Sequence, residues 1–201
     1  MTQARRRAGR PAVLTVERIV AAAAEILDAE GPDALTMRRL GTELGVAAMS
    51  LYRHLPGRDA LLSAVVNHLF AQAMTGYQAE SDWPEALTGF AVAYRRFLLA
   101  HPRAVPLLAT HPVDVRLGSE LIAGLLARFG AAGVPSGDTV NAVQSVAVYV
   151  LGHALAQVGS TAEAHDAASL AFYDQWFEAG LRAMVSGFEG LIRLHDVPGE
   201  S

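Results

Sequence analysis

The 201-residue chain is 52% hydrophobic and 18% charged, a composition that suits one or two compact domains with a real core rather than a disordered chain. It contains no cysteine, which excludes disulfides, thiolate metal sites and cysteine nucleophiles. The net charge of −4 is unevenly spread: residues 1–60 carry nine Arg against seven acids, residues 61–201 seven Arg against thirteen, so a cationic end is joined to an acidic body.

Residues 1–14 hold Arg5, Arg6, Arg7 and Arg10 with no apolar period and no apolar run behind them. They read as a flexible basic arm and not as a signal peptide, which places the chain in the cytoplasm as an expectation. Gly9-Arg10-Pro11 resembles the core of a minor-groove hook but lacks the arginine that precedes the glycine, so a nonspecific phosphate clamp is the better reading. Thr15 can cap a first helix whose inner face is Val16, Ile19, Val20, Ala23 and Leu27, ended by Gly31-Pro32. Thr36 caps a short second helix, Met37 to Leu44, and Gly45 follows where a left-handed residue lets the chain turn sharply. A third helix covers about residues 47–55 and stops at Pro56-Gly57; Asp59 opens a fourth that fades near Gly76.

Five further helices are expected at about 84–100, 103–110, 114–130, 137–158 and 172–195. The breaks are His101-Pro102, His111-Pro112, Gly133-Val134-Pro135 and the polar stretch from Gly159 to Ser169. No β pattern of comparable strength and no internal repeat occurs. No segment qualifies as a membrane span, since the most apolar run, Val143 to Val158, is interrupted by Gln144, Ser145, Gly152, His153 and Gln157. The expected fold is all-α with about nine helices: an arm (1–14), a helix-turn-helix unit (15–60) and a helical body (61–201).

Two short helices joined by a glycine turn and preceded by another helix make a helix-turn-helix, with Leu40, Leu44, Val46 and Leu51 packing inward on Ile19, Ala23 and Leu27. Phosphates need donors at fixed positions, and base edges need a close backbone with protruding side chains. Thr36 offers a hydroxyl at a helix start, and Arg38 projects outward one turn on. Ala48, Met49 and Ser50 are small or flexible and let the backbone approach the bases. Tyr52 and His54 can donate to phosphate, Arg53 can reach a phosphate or a guanine, and Arg58 lies near the flanking backbone.

Thr36-Met37-Arg38-Arg39-Leu40, Leu44-Gly45-Val46 and the run from Ser50 through Tyr52, His54, Pro56-Gly57-Arg58-Asp59 to Leu61-Leu62 resemble the DNA-binding domain of the TetR family of transcriptional regulators, over about residues 12–70. The resemblance implies an all-α homodimer that binds a palindromic operator in double-stranded DNA and is released by a small ligand in its C-terminal domain. Ala47 stands where the family often has a capping residue, and Leu55 replaces the usual phenylalanine. Ala48 and Met49 replace residues that read bases in some members.

His101-Pro102, the run Leu107 to Pro112, and Phe177 to Leu181 with Gly187 to Leu191 resemble the C-terminal domain of the tetracycline-repressor branch. In a ligand-sensing family, Phe90, Tyr94, Leu108, His111, Gln144 and Val148 are candidate pocket residues. The alternative for Tyr94, His111, Gln144 and His153 is satisfied core groups. Met74, Phe90 and Leu107 or Leu108 fall where the tetracycline repressor contacts its drug and magnesium, a hard cation that wants oxygen ligands, so tetracycline is not the expected effector. The effector is expected to be largely apolar.

Phe177, Leu181, Met184, Phe188 and Leu191 form a stripe at helical spacing, with Gly180 and Gly187 beside it. The stripe reads either as intramolecular core or as part of a four-helix dimer interface built from 137–158 and 172–195, with the glycines permitting close approach. The scattered histidines, among them His101, His111, His153, His165 and His195, lack metal-ligand spacing, and no cofactor is expected. The readings by class are a ligand-responsive regulator, a nonspecific architectural DNA-binding protein, and an α-helical enzyme; no nucleophile elbow, P-loop or paired carboxylate supports the last.

Overall fold

A computed structural model describes residues 14–80, 82–159 and 166–195. The arm arginines Arg5, Arg6, Arg7 and Arg10, and His165, lie outside these residues. The described chain is all-α: α1 (Val16–Glu30), α2 (Met37–Leu44), α3 (Ala48–Tyr52), α4 (Arg58–Ala73), α5 (Trp83–Ala100), α6 (Val105–Thr110), α7 (Val115–Leu121), α8 (Ala123–Ala131), α9 (Ser136–Val158) and α10 (Ala167–His195), with short 3₁₀ turns at Pro32–Ala34 and Pro102–Ala104.

The N-terminal helices start and stop for local reasons. The Thr15 and Thr36 hydroxyls accept from the Arg18 and Arg39 amides at 3.3 and 3.1 Å, satisfying first-turn donors. Gly45 is left-handed (φ 66°), and the Val46 amide reaches back to the Gly41 carbonyl at 2.9 Å, the closing bond of a Schellman turn. The helix α3 is shorter than the expected 47–55, ending at Tyr52. Pro56 disfavours helical geometry at Leu55, and the chain leaves through turns at 53–54.

Two other boundaries, and the membrane-span reading of α9, differ from the sequence expectation. The helix expected over 114–130 is two: Ile122 (φ −107°, ψ 20°) leaves helical geometry and is buried, so the chain turns onto the core there without a glycine or proline. The last helix begins at Ala167 rather than near 172, with Asp166 Oδ1 accepting from the Ser169 amide at 2.8 Å. And α9 is long and apolar enough to cross a membrane by length and composition, although its interrupting polar residues argued otherwise. It packs against α5, α6, α8 and α10, the position of a core helix.

One hydrophobic core runs through the described residues. Ile19, Ala23, Leu27, Leu40 and Leu51 are fully buried, binding α1, α2 and α3 together, with Leu44 and Val46 half-buried at the edge. The helix α4 packs on α1 on one side and on α5, α6 and α7 on the other, so it belongs to both halves of the molecule.

Candidate nucleic-acid interface and ligand cavity

The helix-turn-helix depends on a close approach that the sequence reading did not single out. A Cβ on Gly41 would lie 2.9 Å from the Val46 carbonyl oxygen and 3.4 Å from the Ala48 amide nitrogen. Both are backbone atoms, so only glycine lets α2 lie this near the turn into α3. The next level of order is a charge network: Arg39 bonds Glu43 at 2.8 Å on its own helix and grips Glu30 at the end of α1 with Nε at 3.0 Å. Those bonds hold the Glu30 carboxyl below its usual range.

Adjacent arginines therefore have different work. Arg39 is committed to Glu30 and Glu43, whereas the Arg38 side chain is exposed and makes no bond among the described residues. Thr36, Tyr52, Arg53, His54 and Arg58 are also exposed. The Thr36 oxygen accepts from the Arg39 amide, which leaves its proton to donate outward. Met49 is 73% exposed, an unusual position for so apolar a side chain, while Ala48 and Ser50 are half-buried beside it. Ala47 makes no side-chain cap to α3. The nine residues expected at the interface are the α2 cap Thr36, Arg38 on α2, Ala48 to Tyr52 on α3 (Leu51 excepted), Arg53 and His54 in the turn after it, and Arg58 at the start of α4, with no acidic side chain among them.

The body holds a cavity of about 370 Å³ between α4, α5, α6, α7 and α9. Phe90, Tyr94, Leu108, His111, Gln144 and Val148 all line it. Met74 and Leu107 are buried but do not line it. The sequence reading missed Phe70, Ile122, Val143 and the 112–119 segment, including Asp114, Val115 and Ser119. The apolar spacing of Phe70 and Val143 resembled ordinary core, and the 112–119 segment became wall only through the turn at Ile122. Tyr94 is 5% exposed, set between Phe70 (5.7 Å, edge-on) and Phe90 (6.1 Å, stacked). Its hydroxyl makes no bond among the described residues, and burial raises its pKa to about 12. Gln144, Val148 and Asp114 are exposed and form the mouth.

Two elements connect cavity and interface. Arg58 opens α4 beside α3, and Phe70 lines the cavity twelve residues on, roughly 18 Å along the same helix. Leu108 and His111 sit on or just after α6, whose leading turn is clasped to the end of α1. There Arg103 donates to the Asp28 and Ala29 carbonyls at 2.8 and 2.6 Å, and His101 Nδ1 meets Asp28 Oδ2 at 2.7 Å. A cation on the last carbonyls of α1 is well placed for the helix dipole. Nothing local in the sequence pointed to this pairing.

His153 is a buried group but not a satisfied one. It is 4% exposed among the rings of Tyr149, Tyr173, Trp176 and Phe177, and neither ring nitrogen makes a hydrogen bond. Phe177 and Leu181, from the α10 stripe, are buried within the protomer, Met184 and Phe188 are half-buried, and Leu191 is 55% exposed. The stripe is thus mostly intramolecular core. The other large apolar side chains exposed on the same two helices are Val140, Val148 and Leu155 on α9 and Leu170, Phe172 and Trp176 on α10.

Residues 19–65 match the family model of bacterial regulatory proteins of the tetR family, and residues 75–171 match that of the tetracyclin repressor-like C-terminal domain. An HTH-type transcriptional regulator of Saccharopolyspora erythraea is 33% identical over 148 residues, covering 72% of this chain; the chain spans only 61% of that relative's length. The class A tetracycline repressor protein from Escherichia coli is 31% identical over 191 residues, covering 84% of this chain and 88% of the repressor. The crystal structure of the Streptomyces coelicolor protein ActR in complex with actinorhodin has a TM-score of 0.75 at 25% identity, over 90% of this chain and 98% of ActR.

Proposed function

The chain belongs to the TetR family of bacterial transcriptional regulators, and from that premise we propose that it is a repressor released from a palindromic operator by a small, largely apolar effector. One observation carries the reading. The exposed donors of α2, α3 and Arg58 lie at one end of α4, and the aromatic-lined cavity lies against its other end. A ligand and a DNA duplex would then bind distinct sites that share a rigid element.

On this reading residues 1–14 form the arm, 15–60 the DNA-binding unit and 61–201 the ligand-binding and dimerisation body. Arg38, Tyr52, His54, Arg58 and Thr36 hold phosphates. Arg53 reaches a phosphate or a guanine, and Ala48, Met49 and Ser50 lie over the bases, where the Met49 side chain suits a thymine methyl. The protein acts in the cytoplasm, where the DNA is.

The reading also requires a dimer, because one short recognition helix covers too few base pairs for useful affinity. The exposed apolar residues of α9 and α10 support an interface there, together with a smooth α10 face of Ala179, Ala183 and Gly187 that allows close helix approach. Coupling works if the effector prefers the arrangement that DNA does not; equal affinity for both would move nothing. The helix α4 and the α6–Arg103–α1 clasp are the two routes by which a shifted cavity wall would reorient the DNA unit. Met74, Phe90 and Leu108 carry no oxygen at the positions where the resemblance to the tetracycline repressor would put the contacts to drug and magnesium, so a magnesium–tetracycline complex is not the proposed effector.

The test is a duplex selected by the protein from a random pool. The proposal predicts a preference of at least about 10³ over random duplex at physiological salt. Similar affinity for both, with a steep salt slope, would instead support the architectural reading.

A further inference from the structure

Resting on the effector reading above, we infer that the cavity takes an uncharged aromatic ligand that presents a carbonyl oxygen to the Tyr94 hydroxyl at its buried end and a hydrogen-bonding group to the mouth.

The inference begins with the walls. Phe70, Phe90 and Tyr94 put three rings on one side of a space of about 370 Å³, within the range of small-molecule sites. A flat aromatic frame matches such a wall by stacking and edge contacts. Among the described residues no Arg or Lys lines the cavity, and the one carboxylate side chain there is Asp114 at the mouth. A ligand carboxylate would lose its hydration without gaining a cation, and would enter past a like charge. A neutral frame meets neither cost.

The polar groups fix the orientation. Tyr94 is the deep one, 5% exposed, with a hydroxyl that bonds nothing among the described residues. A buried phenol with a pKa near about 12 keeps its proton at neutral pH and is a donor, so its partner is an acceptor. The rim is complementary. Thr110 Oγ1 lies 2.9 Å from the Pro106 carbonyl and 3.0 Å from His111 Nδ1. With its single proton given to that carbonyl, the hydroxyl accepts from Nδ1–H, and His111 Nε2 remains an acceptor for a ligand hydroxyl. The Gln144 amide, also lining the cavity, offers both roles. The cavity thus asks for a carbonyl inside and a donor outside.

Xanthone, xanthene and a xanthone carboxylate share one tricyclic frame and differ only in the carbonyl and the charge. Binding of each to the full chain, measured by calorimetry for the wild type and Tyr94→Phe, separates the terms. The wild type is expected to bind xanthone about three- to tenfold tighter than xanthene, one neutral hydrogen bond, and at least about 100-fold tighter than the carboxylate. Tyr94→Phe is expected to bind xanthone and xanthene equally, with xanthene affinity as in the wild type, which also shows that the variant is folded. Carboxylate binding as tight as xanthone, or a carbonyl preference that survives in Tyr94→Phe, overturns the assignment and leaves the effector reading standing. Failure of all three to bind a wild type that still binds DNA overturns both.

Discussion

The Tyr149 hydroxyl fills the space that a side chain at Gly180 would need. A Cβ there would lie 2.8 Å from the ring carbon Cζ and nearer still to the oxygen. From that position the phenol donates to the Phe177 and Trp176 carbonyls at 3.0 and 3.1 Å, and its ring stacks on Phe177 at 5.8 Å. Gly180 therefore serves the packing of α9 on α10 within one protomer, whereas a Cβ on Gly187 would meet nothing within 4 Å among the described residues.

Gly180→Ala should lower stability by about 1–3 kcal/mol, since the added methyl must displace a stacked and hydrogen-bonded ring. Thermal unfolding checks this. The loss should shrink in a Tyr149→Phe background, where the nearest clashing atom is gone. An undiminished loss there would place the strain elsewhere.

Gly41→Ala tests the turn itself. The added methyl presses on the Val46 carbonyl, and backbone cannot swing aside as a side chain can. A destabilisation of roughly 1–3 kcal/mol is expected, with a DNA affinity that falls further than the lost stability accounts for, because α3 moves relative to α2. Wild-type DNA affinity in a destabilised variant would show that α3 does not depend on this approach.

Arg38→Ala and Arg39→Ala should separate two neighbouring arginines. Arg38→Ala is expected to leave the unfolding temperature unchanged, weaken DNA binding on all sequences alike and reduce the salt slope by about 1. Arg39→Ala is expected to lower the unfolding temperature, because Glu30 and Glu43 lose their shared cation. Salt titrations of DNA binding alongside melting curves distinguish the two, and an unchanged salt slope for Arg38→Ala would remove it from the interface.

Those contrasts also mark what the sequence could tell. Thr15, Thr36 and Gly45 announce their roles through their own chemistry, a hydroxyl before an apolar period and a glycine at a left-handed position. The outward donors around Tyr52 were legible for the same reason. The six cavity residues were named from family resemblance and sit around one space. Gly180 was legible as a point of close helix approach but its partner Tyr149 was not, and neither were Gly41 and the Asp28–Arg103 clasp, because their meaning lies in partners brought close only by folding. Ile122 turns the chain with an ordinary core residue, so no breaker announced it.

His153 gives the expected pH dependence. Burial first, and the Arg95 charge second, hold its imidazole below the ordinary histidine range; the Tyr173 carbonyl and Asp174 oppose this less strongly. The unfolded chain thus takes up a proton that the folded chain resists, so stability is full above the unfolded value of about 6.5 and falls as pH drops through it. His153→Phe should flatten the melting temperature between about pH 7.5 and 5.5, and raise it at the acid end. It removes two unbonded buried nitrogens and keeps the ring among its aromatic neighbours. An unchanged acid slope would assign the effect to other histidines.

The central claim is that ligand and DNA occupy separate sites coupled through α4 and the α1 clasp. The most direct measurement is the affinity for the selected operator duplex, by fluorescence anisotropy, without and with saturating xanthone. The account predicts at least a tenfold loss of DNA affinity with ligand bound, and by linkage the same loss of xanthone affinity when DNA is bound. Xanthone that saturates the cavity while leaving DNA affinity unchanged would contradict it.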